Sequence, residues 1–115
     1  MEQFIPSEMA EQTAFVEWLE LKGYLFTAIP NSTFTTSWNQ KRKNRAMGLR
    51  AGLPDMIVIA NNKVMFVEMK RIKRSVTSAE QKKWIEALNS AGVPAKVCKG
   101  CIEAMNFIIN ESEGR

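Results

Sequence analysis

Histidine is absent from the 115 residues of this chain, and cysteine occurs only twice. A four-ligand zinc site therefore cannot be assembled within one chain, because Cys98 and Cys101 make a single Cys-x-x-Cys pair with no histidine to complete it. The pair reads as a half-buried strand cysteine and a helix-start cysteine, both reduced. Dithiol redox chemistry is the competing reading. Long apolar runs are missing as well: the longest is about six residues, where a membrane helix needs about 20. The acidic, polar N-terminus also lacks the basic-then-apolar layout of a signal peptide. An intracellular, cytoplasmic protein that makes no membrane contact is the expectation.

A third absence is local. No acid lies between Glu20 and Asp55, whereas Lys22, Lys41, Arg42, Lys43, Arg45 and Arg50 all fall in that gap. The formal charge of +4 is modest, but its placement suits a surface that binds a polyanion. With 45% hydrophobic residues, the chain has enough apolar side chains for one core, and a single domain over residues 1–115 is expected.

What the chain does contain centres on GLPDMIVIANNKVMFVEMK, residues 52–70. Two apolar runs flank Asn61 and Asn62, residues that tolerate the positive φ of tight hairpin turns. With those two as the loop, paired positions sum to 123 and Asp55 sits opposite Glu68, with β-carbons roughly 4.5 to 5.5 Å apart. Lys70, two residues on, shares the face of Glu68. Two carboxylates and an ammonium thus meet at the end of a strand pair, which apolar packing alone does not call for. Close carboxylates repel, and a divalent cation relieves that repulsion. Oxygen ligands without histidine favour a hard ion, Mg²⁺ or its substitute Mn²⁺.

Around this hairpin the chain reads as helix, strand, hairpin, helix, strand, helix: an α/β layer with a mixed central sheet of about four strands flanked by helices. The first helix covers residues 7–22, capped by Ser7 or Thr13 and ended by Gly23. Its apolar stripe is Ala14, Phe15, Trp18, Leu19 and Leu21, and Glu11 lies one turn before Phe15, on the inward side. Tyr24 to Pro30 is a short strand. Residues 32–52 read as a basic loop, with Phe34 and Trp38 among its cations. Such a loop suits phosphate contact and base stacking, against the plainer reading of a solvated surface. Ser78 and Gln81 fit a capping box for the next helix, whose inner stripe is Trp84, Ile85 and Leu88 and whose end is Gly92 and Pro94. Arg71, Lys73 and Arg74 flank the hairpin exit, as further phosphate contacts or simply a solvated edge. Ala95 to Cys98 is a last strand, Ile102 to Ile109 a last helix, and residues 110–115 should fray.

A Pro-Asp at a strand entrance followed by Glu-x-Lys at the end of the next strand resembles the PD-(D/E)xK nuclease superfamily. "GLPD", "VEMK" and "SAEQKKWIEAL" together resemble its VRR-NUC branch, over about residues 8–108. The resemblance implies a restriction-endonuclease-like core and a metal-dependent endonuclease acting on DNA. Asp55 and Glu68 would hold Mg²⁺ or Mn²⁺ with the carbonyl of Met69, Glu11 would join them from the first helix (Glu8 being the fallback), and Gln81 would point into the site. Lys70 would orient or help deprotonate the attacking water. Lys41, Arg42, Lys43, Arg45, Arg50, Arg71, Lys73 and Arg74 are the candidate DNA contacts. Ala79 stands where the family often has proline. Stand-alone domains of this size resemble structure-selective nucleases, including homodimers that resolve four-way junctions; Phe34, Trp38 and Met47, which have no clear core position, could serve a partner subunit. The alternative is a DNA- or junction-binding module with weak or no nuclease activity. An intact Asp55, Glu68 and Lys70 argues against it.

Overall fold

The structure is a computed structural model that describes residues 4–30 and 36–113. Its first helix, α1 (Glu8–Lys22), starts where Ser7 Oγ accepts the N–H of Ala10 at 3.0 Å, and it stops at Gly23, whose φ of 75° places it in the left-handed region. Phe15 and Leu19, one turn apart, are fully buried, with Glu11 one turn earlier on the same stripe. Ala14 and Leu21 depart from the stripe the sequence suggested: both face outward, Leu21 87% exposed. The cause is helical geometry, since positions 11, 15 and 19 set the inward azimuth and 14 and 21 fall off it.

The sheet has four strands in the order β1 (Leu25–Ala28), β2 (Met56–Ala60), β3 (Lys63–Lys70), β4 (Ala95–Lys99). The first two pairings are antiparallel and the third is parallel. At the tip of the β2–β3 hairpin, Asn61 and Asn62 have φ of 50° and 65°, the two positive values a two-residue primed turn demands. Ala60 pairs with Lys63 and Met56 with Val67, the expected register. β3 and β4 run parallel because α3 (Ala79–Ser90) carries the chain back between them. The last helix, α4 (Cys101–Ser112), follows β4 almost directly.

One face of the sheet carries the core. Met56, Val58, Met65, Val67 and Met69 are fully buried on it and pack with Phe15 and Leu19 of α1 and Ala104 and Ile108 of α4. Each such side chain contributes about 1.5–3 kcal/mol by leaving water. The opposite face is apolar in composition but not sealed: Ile59 and Val64 are partly open, and among the described residues α3 packs on this side, against β4 and, through Gln81, the end of β3. Burial therefore alternates along β2 even though its sequence does not. The less sealed face is the one that bears Asp55, Glu68 and Lys70.

Two expectations are corrected by the fold. Residues 38–46 of the supposed loop form a helix, α2 (Trp38–Ala46), capped by Ser37 Oγ accepting from Gln40 N at 3.2 Å. It buries none of its residues, so no apolar periodicity marks it; the cap and a cation-rich last turn that suits the helix dipole take that role. Phe34 and the start of that segment lie outside the described residues. The tail does not fray from residue 110: α4 runs to Ser112, where Lys63 Nζ donates to Glu111 O at 2.8 Å and Asn61 Nδ2 to Ser112 O at 3.2 Å. The hairpin tip satisfies carbonyls that a free helix end would leave to water. Residues 114–115 lie outside the described residues. Among the described residues, no helix is long and apolar enough to cross a membrane.

Candidate active site

Asp55 stands at the entrance to β2, immediately after Pro54, which is fully buried. Its backbone carbonyl accepts from Ile29 N at 2.6 Å, which extends the β1–β2 ladder by one bond, and its Oδ2 accepts from Met69 N at 3.0 Å. The carboxylate is thereby fixed across the hairpin against the end of β3. Glu68, on β3, is 4% exposed. Its Oε2 accepts from Gln81 Nε2 at 2.8 Å and lies 3.6 Å from Lys70 Nζ. Its Oε1 is buried and has no hydrogen-bond partner of good geometry among the described residues, although the Asp55 backbone N–H lies near enough to pull the carboxyl's pKa slightly down. Lys70 is anchored from behind, its carbonyl accepting from Gly100 N at 3.0 Å.

Gln81 resolves the choice between capping and the site by serving both. Its Oε1 accepts from Ser78 N at 2.9 Å to close the capping box, and its Nε2 is spent on Glu68. The start of α3 is therefore bolted to the end of β3 that carries Glu68.

The electrostatics follow from burial and proximity. Desolvation, then the charge of Asp55, push the Glu68 carboxyl up to about 7, against a smaller opposing pull from Lys70. Burial also raises Asp55, with the Met69 N–H and then Lys70 pulling it back. A buried acid and a half-buried one that resist ionising together form a strong demand for positive charge.

The structure does not bring Glu11 into this cluster. Its Oε1 accepts from Cys101 N at 2.9 Å, at the N-terminus of α4, where a carboxylate complements the helix dipole. Glu8 is exposed. Among the described residues no three His, Cys, Asp or Glu side chains stand close enough to hold a metal ion together. At Met69 the contact to Asp55 is made by the amide rather than the carbonyl. Cys98 is buried and Cys101 half-buried; both are free thiols, with Cys98 pushed up to about 12 by burial, which makes it a poor nucleophile.

Lys41, Arg42, Lys43 and Arg45 all lie on α2, and Arg50 follows it. Lys73 and Arg74 are exposed beyond β3. Arg71 departs from this surface set: it is half-buried, donates from Nη2 to Ile5 O at 3.3 Å, and buries an Nε that has no partner among the described residues. Its place directly after β3 turns it inward toward the N-terminal segment.

Sequence reasoning missed how the Asp55 segment is held against α3. A side-chain carbon at Gly52, whose φ is 100°, would lie 2.6 Å from the Glu80 backbone, so only glycine fits there. One residue earlier, Ala51 O accepts from Trp84 Nε1 at 3.1 Å. The glycine before Leu-Pro-Asp was the available signal, but its contact with α3 spans residues far apart in sequence. Trp84, Ile85 and Leu88, the expected buried stripe, are all half-buried, and α3 buries none of its residues.

Comparison with known proteins agrees with this fold. The VRR-NUC domain family matches residues 6–101. A solved structure described as a VRR_NUC domain protein superposes with a TM-score of 0.72 at 26% identity, over 92% of this chain and 88% of that one. No curated protein matches.

Proposed function

The chain belongs to the VRR-NUC domain family, a family of nuclease domains, and from that premise we propose that it is a metal-dependent endodeoxyribonuclease selective for branched DNA, with Asp55, Glu68 and Lys70 as its catalytic set and Gln81 as the group that positions Glu68. The observation that carries this reading is Glu68 Oε1, a buried acceptor without a partner among the described residues, beside a second raised carboxylate. An acceptor in that position costs about 1–3 kcal/mol or more unless a cation or donor meets it. Hard oxygen donors and a shortage of local positive charge fit Mg²⁺ or Mn²⁺. Asp55 and Glu68 would hold the ion, with the Met69 carbonyl available from the same turn of chain, and Glu11 would contribute only by leaving Cys101 N. When bound, such an ion supplies a water acidified toward neutrality and neutralises charge on the phosphate.

The chain's own residues do the rest. Gln81 fixes the rotamer of Glu68 by occupying Oε2, so that Oε1 would be the oxygen free to hold the ion. Lys70, 15% exposed on its side chain, keeps an ammonium at the mouth of the pair, where it stabilises charge growing on the scissile phosphate and orients the attacking water. The cations of α2 attract the duplex and set its register without reading sequence. The working unit is proposed to be a homodimer, since one such domain offers one active site and a four-way junction has nearly two-fold symmetric arms. Trp38 and Met47, 78% and 79% exposed, are available to a second copy.

The test is incubation of linear duplex, flap, splayed-arm and four-way substrates with Mg²⁺, Mn²⁺ or EDTA, alongside analytical ultracentrifugation with and without the junction. Metal-dependent paired cuts in the four-way substrate by a dimer are expected. Binding without cleavage under every metal condition would reduce the protein to a DNA-binding module. A monomer that nicks one arm would leave a structure-selective nuclease and end the resolvase version.

A further inference from the structure

Beyond Gln81, α3 forms one wall of a groove whose other wall is the end of α2 and the segment leading from it. The groove has a volume of about 560 Å³ and is lined by Arg45, Arg50, Ala51, Glu80, Lys83 and Trp84, with Ala87 at its far end. Three cations face one carboxylate there. The bond from Trp84 Nε1 to Ala51 O holds the indole in one orientation, and the Arg50 guanidinium is pinned by the carbonyls of Arg45 at 2.9 Å and Leu49 at 3.1 Å. The aromatic and one of the charges are thus fixed before any ligand arrives, which lowers the entropic cost of binding.

Position along the helix ties this groove to the carboxylates. Trp84 is three residues after Gln81, about 4.5 Å further along the axis. Successive nucleotides of one strand of a DNA duplex advance about 3.4 Å along its axis, and an unstacked step is longer. A strand whose phosphate lies at Glu68 would therefore bring a nucleotide one or two steps away to the groove. We propose that the groove seats an unpaired nucleotide of that strand, the base stacking on Trp84 and its phosphates met by Arg45 and Lys83. In a duplex the base faces are covered by their neighbours, so only an unstacked base can use an aromatic in this way. The groove thus selects DNA with free nucleotides beside the cut, as at a flap or branch point. The neighbourhood of a scissile phosphate rests on the nuclease reading above, but seating the nucleotide requires no metal.

The experiment is a titration in EDTA of the full chain with a short oligodeoxythymidylate and, separately, with a blunt duplex of equal length, followed by tryptophan fluorescence. The oligonucleotide should quench emission, and Trp84→Phe should remove most of that quench. Lys83→Ala, at an exposed position, should weaken oligonucleotide binding about tenfold, within the range stacking and phosphate contacts give, and leave duplex affinity within about twofold. Equal quenching by the duplex, a quench that survives Trp84→Phe, or unchanged oligonucleotide affinity in Lys83→Ala would each overturn the proposal. Should Trp84→Phe fail to fold, Lys83→Ala decides alone. A parallel flap-cleavage assay with Mg²⁺ separates the two readings: quenching without cleavage removes the nuclease and keeps the groove, whereas cleavage without quenching removes the groove alone.

Discussion

Gln81 donates its amide N–H to Glu68 Oε2 at 2.8 Å while its own oxygen accepts from Ser78 N at 2.9 Å. One side chain therefore ends the exposed backbone of α3 and orients a buried carboxylate. Gln81→Glu should separate the roles, because a carboxylate can still accept from Ser78 N in the capping box but cannot donate to Glu68. We expect thermal stability near wild type at low pH and cleavage reduced at least tenfold. Gln81→Ala should lose both, at about 1 kcal/mol for the cap. Melting curves and single-turnover cleavage measure the split; equal activity in Gln81→Glu would remove the positioning role.

Asp55→Ala or Glu68→Ala should abolish cleavage and leave DNA affinity equal or higher, since each removes negative charge facing a phosphate. Lys70→Ala should lose most activity as well, without the gain in affinity. Gel-shift binding in EDTA and cleavage in Mg²⁺ give the two readouts. Near wild-type rates in any two of the three variants would sink the catalytic assignment.

The raised carboxyls predict an unusual pH profile for the metal-free protein. Glu68 stays protonated in the folded state up to about 7, whereas the unfolded chain releases that proton near 4.5. The folded state binds more protons across that window, so stability should fall as pH rises from about 4.5 to about 7, on the order of 3 kcal/mol for a single carboxyl shifted this far. Asp55 adds to the same trend by direction. Mg²⁺ should flatten the loss, because the ion favours the ionised pair. Chemical denaturation across this pH range, with and without Mg²⁺, tests it; a metal-free stability that climbs between pH 5 and 7 would contradict the raised pair.

Neutralising Lys41, Arg42, Lys43 and Arg45 together should weaken DNA binding and lower the slope of log affinity against log salt. Each lost phosphate contact removes about 0.9 from that slope on duplex DNA. Cleavage at saturating DNA should survive better than affinity, since α2 touches none of the carboxylates through any bond seen among the described residues. An unchanged slope would make α2 a solvated helix whose cations serve only its own dipole.

Much of the candidate site was legible because its members lie on one hairpin. Asn61 and Asn62 fix the turn, the turn fixes the register, and the register brings Asp55 to Glu68, all within 14 residues of chain. The capping box at Ser78 and Gln81 was legible for the same reason, being a contact of three residues. α2 was not, because a helix that buries nothing leaves no apolar period to read. Glu11 was read as facing inward, and it does, yet its partner at Cys101 lies 90 residues away.

Short-range chemistry, then, is what the sequence by itself determined: the turn, the caps, the inward stripe of Phe15 and Leu19, and the meeting of two acids and a lysine at the end of a strand pair. Each follows from backbone preferences or side-chain period over a few residues, which no distant packing overrides. The tertiary structure alone decided the rest. Packing α1 and α4 on one face buried Met56, Val58, Met65, Val67 and Met69 and left the Glu68 face to α3. Docking that helix through Gly52 and Ala51 brought Gln81 to Glu68 and opened the Trp84 groove beside it. Which of two largely apolar faces is sealed along its length depends on where helices far along the chain come to rest, and local pattern carries no record of that.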